Sequence, residues 1–384
     1  MFRVNLSALP PVEIGDVAGS IRLHRRELDL VAPVVASHGR HESRRVLLVE
    51  LRTADGFVGW GECGAPDGAG YTGETADAAA AFLERIIPTA FDGRRSVAAG
   101  MVRTLLSAVD ADARSRHPMA IAALESAVLD AQLRCVNTAF ESLFGVPAKR
   151  AASAGATLAN APGDGDADPV DFVVAEAIAA VSQGYSRLKL KIGPGMHATD
   201  TVRELRAALE SDIVLLGDAN GSYATDDVSH VASLGELGLD IVEQPFAPHD
   251  TLAHQQLVAT GAIRVALDEG VRNATDALDA LVNHECTDIT LKPARFGYLD
   301  CVEVLNKVAD HGAGAWIGGM FDTGVARWAN VRLAAHPAVT LASDIGSSDR
   351  YWAHDLTQPI NADAGLVLVP GNHNAGLSGV PFDA

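Results

Sequence analysis

Five ionisable residues close short aliphatic runs at nearly constant intervals. Lys191 ends RLKLK, Asp218 ends IVLLGD, Glu243 ends DIVE, Asp268 ends RVALD and Lys292 ends DITLK, in steps of 27, 25, 25 and 24 residues. Three carboxylates brought together repel one another and stay ionised only beside a cation. An all-oxygen set suits Mg2+ or Mn2+, with further positions open to water and substrate. Such an ion holds a substrate carboxylate and offsets the charge that builds when its α-proton leaves. A lysine at each end of the set then addresses the two faces of that carbon. Any one of these carboxylates alone reads as a helix cap or a turn former. Five in register point instead to a shared site.

The lysines carry a second signal. Of 30 basic residues only five are lysine: Lys149, Lys189, Lys191, Lys292 and Lys307. Arginine does not release its proton at accessible pH, whereas a lysine in a cationic or desolvated site does. Positions that keep lysine are therefore candidates for proton transfer. Lys189 and Lys191 are two apart on a strand and share one face. Beside Lys189 and a divalent ion, Lys191 is expected to release its proton more readily.

The elements that position these groups follow from patterning. Val46–Arg52, a turn at Ala54-Asp55-Gly56 and the return run Phe57–Glu62 form a hairpin signal. Glu74–Ile87 and Pro118–Arg134 are Ala/Leu-rich and read as helices. From about residue 149 the chain alternates strand-like runs with helical stretches. The runs are Ala152–Leu158, Arg187–Ile192, Ile213–Gly217, Leu239–Val242, Ile263–Leu267, Asp288–Leu291, Ala313–Ile317 and Val339–Ala342. Eight such runs fit a (β/α) barrel, and a doubly wound open sheet is also permitted. In a barrel the five residues reach one rim, at the C-terminal ends of consecutive strands. Asp168, Pro169 and Gly184 mark a helix by N-cap, first residue and stop. Asn160–Asp168 reads as a surface loop. The expected division is residues 1–145, 146–350 and 351–384: an α+β domain, the barrel, and a tail returning to the first domain.

At 384 residues, with 48 % apolar residues, the chain has material for a large core. A net charge of −19 with no basic block excludes nucleic acid and anionic membrane surfaces as partners. No apolar run reaches bilayer-spanning length and no signal-peptide pattern opens the chain, so a cytoplasmic location is expected. Cys63, Cys135, Cys286 and Cys301 lack metal-site spacing and read as reduced thiols.

Several longer motifs carry a family resemblance: LKLKIGPG, GDANGSY, VEQP, LDE, LKPARFG, WIGGMFDTGVARWANVRLAA and SDRYWAHDL. The first domain adds APVVASHG, GWGECGAPDGAGYTGE and HPMAIAALESAVLDAQLR. Together they resemble the enolase superfamily in its muconate-lactonizing subgroup, and within it the o-succinylbenzoate synthases and N-succinylamino acid racemases. The resemblance implies an α/β fold, a (β/α)7β-type TIM barrel with an N-terminal α+β capping domain. It implies that Asp218, Glu243 and Asp268 bind Mg2+, with Mn2+ as the alternative, and that Lys191 is the proton-abstracting base. Lys292 stabilises the enediolate or serves as the second acid–base group, with Lys189 beside Lys191. Substrate contacts are implied for Thr157, Asn220, Arg295 and Met320, a structural role being the other reading of Arg295. Loops near Val35–Ser43 and Glu62–Thr72 are implied to close the site. Ala294, Phe296-Gly297-Tyr298 and Asp322 depart from the usual pattern.

The implied activity is that of a carbon–oxygen lyase, an o-succinylbenzoate synthase-like dehydration in menaquinone biosynthesis. Racemisation of N-succinylamino acids is the alternative, and the two can coexist. Dipeptide epimerases pair two aspartates near the eighth strand, where ASDIGSSD offers Asp344 alone, and no His–Asp pair replaces Lys292 as in mandelate-type racemases. A non-catalytic binding barrel is the reading from another class. A small-molecule carboxylate substrate and a homo-oligomer are expected.

Overall fold

The computed structural model describes residues 9–36, 39–68, 73–159, 168–371 and 375–382. The Asn160–Asp168 loop, except Asp168, lies outside the described residues.

The N-terminal part is an antiparallel meander of β1 (Ile21–Ala36), β2 (Gly39–Arg52) and β3 (Val58–Cys63), followed by α1 (Ala76–Ala90), α2 (Ala99–Val109) and α3 (Pro118–Cys135). The hairpin and both helices expected from sequence are present. Helix α3 lies directly on β3 because β3 offers glycines where the helix approaches. A Cβ on Gly59 would stand 2.1 Å from the Ala127 carbonyl oxygen, and one on Gly61 2.0 Å from that of Ala123. Alanines four apart along α3 meet glycines two apart along β3, so the backbones touch.

The second part is a curled parallel sheet of seven strands among the described residues. These are β4 (Ala156–Thr157), β5 (Arg187–Lys191), β6 (Val214–Asp218), β7 (Ile241–Glu243), β8 (Arg264–Leu267), β9 (Asp288–Leu291) and β10 (Gly314–Ile317), in sequential order. Outer helices include α4 (Pro169–Ser182), α5 (Ala198–Ala208), α6 (Val228–Glu236), α7 (Thr251–Thr260) and α8 (Ala274–Val282). They continue with the one-turn α9 (Pro293–Phe296), α10 (Tyr298–Val308) and α11 (Gly324–Ala334). Asp168 caps α4 by accepting from the Val170 amide at 2.8 Å. The eighth run, Val339–Ala342, is not a regular strand. Its continuation still joins the two sheet edges: Asp344 N–H donates to Ile317 O on one side, and Ser343 exchanges bonds with Ser153 and Gly155 on the other, all at 2.8 Å. The barrel is therefore closed, and the open-sheet alternative falls away.

Side-chain alternation builds the barrel interior in layers. Leu216, Ile241, Ala266 and Trp316 form a buried apolar layer. Two residues further along three of these strands stand Asp218, Glu243 and Asp268, on the same inward face. The tail passes Leu366–Leu368, paired with Ala151–Ser153, and reaches α3, where Asp130 accepts from the Leu377 amide at 2.7 Å. Among the described residues no helix is long and apolar enough to cross a membrane.

Candidate active site

Strand register brings the first members together. Lys191 pairs with Asp218 across β5 and β6, Asp218 with Glu243 across β6 and β7, and Thr157 with Lys189 across β4 and β5. Each carboxylate meets an ammonium group. Lys191 Nζ lies 2.7 Å from Asp218 Oδ2, Lys189 Nζ 2.7 Å from Glu243 Oε2, and Lys292 Nζ 2.7 Å from Asp268 Oδ2. Lys191 also donates to Asn220 Oδ1 at 2.6 Å. Its side chain is 31 % exposed against 6 % for Lys189 and 9 % for Lys292, so it is the most open of the three to a substrate.

Glu243 is wholly buried and accepts from Thr290 Oγ1 at 2.8 Å. Burial pushes its carboxyl up to about 7; Lys189 opposes this, while Asp218, Asp268 and Asp344 add to it. Burial also opposes ionisation of Asp268, but Lys292 and Arg295 outweigh it and hold that carboxyl well below the usual range. Lys189 is desolvated too, yet Asp344, Glu243 and Asp218 keep it strongly protonated. Residues just past the strand ends adopt the left-handed region that side chains rarely occupy: Asn220 at φ 44° and Gln244 at φ 41°. Gln244 Oε1 accepts from the Asp268 and Gly270 amides at 3.1 and 2.8 Å, tying the ends of β7 and β8 together.

Among the described residues no group of three or more His, Cys, Asp or Glu side chains forms a metal-ligand cluster, since each carboxylate is turned to its lysine. The donor chemistry nonetheless fits a hard divalent ion. The set is carboxylate oxygen at three successive strand ends, and its middle member is held from full ionisation first by burial and then by Asp218, Asp268 and Asp344.

Arg295 is buried, donating to the carboxylate and carbonyl of Asp268 at 2.6 and 2.8 Å. It braces a carboxylate of the site in this arrangement. Met320 lies in the loop after β10, where its carbonyl accepts from Arg44 of β2. A Cβ on Gly64 would approach Ala294 Cβ to 2.5 Å and Met320 Cβ to 3.3 Å, so the segment after β3 rests on the barrel rim. Of the two loops expected to close the site, residues 37–38 and 69–72 lie outside the described residues.

The sequence reading did not select four residues of the site. Arg187 and Asp344 form an ion pair at 2.5 Å, and Asp344 also holds Lys189 at 3.0 Å. Thr290 supports Glu243, and Glu269 accepts from Asn220 Nδ2 at 2.9 Å. Arg187 shares the inward face of RLKLK with the two lysines, which is a usable signal. Asp344 follows the last aliphatic run as the other site residues follow theirs.

Glu62, at the end of β3, joins the N-terminal domain to the barrel. It accepts from the Thr323 amide and hydroxyl at 3.0 and 2.6 Å and from the Ala326 amide at 3.2 Å, capping α11. Burial pushes its carboxyl up to about 7 from 4.5, with Asp322 adding and Arg44 opposing. The folded chain therefore keeps a proton that the unfolded chain has released, so this contribution to stability is full below pH 4.5 and declines as pH rises toward 7. Glu62→Gln is expected to flatten the fall in melting temperature across that window. An unchanged slope in thermal denaturation would count against this assignment.

The comparisons with known proteins agree with this architecture. Residues 20–145 match the mandelate racemase / muconate lactonizing enzyme N-terminal domain, and residues 173–380 match the enolase C-terminal domain-like family. The chain belongs to the enolase superfamily, whose enzymes generally use a divalent metal, typically Mg2+. It is 33 % identical to the N-succinylamino acid racemase of Amycolatopsis sp over 94 % of this chain and 95 % of that protein. It is 32 % identical to the o-succinylbenzoate synthase of Bacillus subtilis (strain 168) over 93 % of each. A crystal structure of an enolase-superfamily member from Enterococcus faecalis V583 superposes with a TM-score of 0.84 at 28 % identity, covering 97 % of both chains.

Proposed function

We propose that this chain is an o-succinylbenzoate synthase-like dehydratase that removes the proton next to a substrate carboxylate and eliminates water. Racemisation of N-succinylamino acids is the second activity the same site supports, because the two reactions share proton removal. The observation that carries the reading is the pairing of Lys191 and Lys292 with the outer two of three carboxylates, on either side of Glu243. Similarity to both kinds of relative supports keeping the two activities together.

In this reading Asp218, Glu243 and Asp268 hold Mg2+ or Mn2+, which when bound polarises the substrate carboxylate and offsets its growing charge. Asp218, which holds the Lys191 ammonium at 2.7 Å, would be shared between that lysine and the ion. Lys191 takes the α-proton and returns it to the departing hydroxyl in a syn elimination. Lys292 stabilises the developing enediolate by its charge, or delivers a proton from the other side in racemisation. Lys189, held by Glu243 and Asp344, adds fixed positive charge beneath the site. Thr157, Asn220 and Met320 contact the substrate, and Arg295 acts through Asp268.

Purified enzyme with Mg2+ is to be given the cyclohexadiene carboxylate and, separately, a single enantiomer of an N-succinylamino acid. Loss of diene ultraviolet absorbance in the first and decay of optical rotation in the second are the expected results. Rotation decay alone would leave a racemase and overturn the dehydratase assignment.

A further inference from the structure

The segment that carries Lys292 is gripped from the N-terminal domain. Lys292 is the N-cap of α9, whose single turn is fixed because the amides of Arg295 and Phe296 both donate to the Lys292 carbonyl at 2.9 Å. The other end of that turn is the Phe296 carbonyl, one of the helix-end acceptors that need an outside donor. That donor is Arg103 of α2. The same guanidinium donates to Glu125 of α3 at 2.7 and 3.2 Å and to Asp300 of α10 at 2.5 Å. Three donor directions of one planar group are thus assigned to two domains at once.

The fit allows little play. Gly297, which follows Phe296, has φ 77°, and a Cβ there would stand 2.3 Å from Glu125 Oε1 and 2.4 Å from Arg103 Nη2. Glu125 is buried, and a buried ion pair contributes little net stability compared with apolar packing. What such a pair does supply is a fixed geometry across the seam. From Arg103 the chain of contacts runs through Phe296 and one rigid turn to Lys292 and Arg295, both of which hold Asp268.

We infer that Arg103, with Glu125, is a positioning residue through which the N-terminal domain sets the placement of Lys292. The inference rests on the two-lysine reading given under Proposed function, with Lys191 and Lys292 on opposite faces of the substrate carbon. A loosened clamp then disturbs one face and spares the other.

The test compares α-proton exchange in D2O for each enantiomer of an N-succinylamino acid, by proton NMR, in wild type, Arg103→Lys and Glu125→Gln. Lys191→Ala and Lys292→Ala identify which enantiomer each lysine serves. In the clamp variants, exchange of the enantiomer served by Lys292 is expected to slow about tenfold or more, with the other changed less than about twofold. Equal slowing of both enantiomers, or of neither, overturns the inference. A second readout needs neither substrate nor metal. Amine acylation mapped by peptide mass spectrometry on chelated protein should proceed several-fold faster at Lys292 in the variants and unchanged at Lys191; unchanged labelling at Lys292 also overturns it. Should Lys292→Ala exchange both enantiomers normally, the two-lysine reading fails, while the labelling result still judges the clamp. Asp300→Asn, at a side chain 21 % exposed, is the milder variant if those at Arg103 do not fold.

Discussion

Replacing Lys191 with alanine is expected to lower turnover on the order of 1,000-fold, the usual worth of a positioned acid–base group. Lys191→Arg is expected to be nearly as damaging. The charge survives in that variant, so any role that needs only a cation beside Asp218 is preserved. What disappears is a nitrogen able to release its proton. Initial rates on both candidate substrates check this, with melting temperature as a control on folding. An arginine variant that kept about a tenth or more of the wild-type rate would mean that Lys191 acts by charge alone.

The second large effect concerns Glu243. It stands between Asp218 and Asp268 in strand order, is wholly buried, and has no route to water. Glu243→Gln keeps an oxygen for the Thr290 hydroxyl, and Lys189 keeps Asp344 as a partner at 3.0 Å, so the fold should survive. Its affinity for Mg2+ or Mn2+ is expected to fall at least about 100-fold, beyond what loss of an outer partner costs. Calorimetric titration of chelated protein reads this directly. Affinity within about threefold of wild type would remove Glu243 from the metal set.

Much of the site was legible because barrel geometry converts spacing into position. One βα unit of about 25 residues separates each of Lys191, Asp218, Glu243, Asp268 and Lys292 from the next, and the structure puts all five at strand ends. The β2–β3 hairpin and the capped start of α4 were legible for local reasons, turn residues in one case and Asp168-Pro169 in the other. Partner choice was not legible. Lys189 reaches Glu243, two strands away, and Asp344, two residues past an eighth run that the structure does not form into a regular strand. Arg295 read equally as a substrate contact or as a surface or structural arginine, and only the tertiary fold shows it buried against Asp268. The contact of Arg103 with Phe296 spans 193 residues and two domains, and no local rule foretells it.

The central claim is that one cation-dependent site removes an α-proton through Lys191. Its most direct test is to hold the enzyme in D2O with one enantiomer of an N-succinylamino acid, with Mg2+ and after chelation, and follow the α-proton signal by NMR. Loss of that signal with Mg2+, abolished by chelation and restored by added metal, is the expected result. Exchange that continues undiminished after chelation, or that persists in Lys191→Ala for both enantiomers, would contradict it.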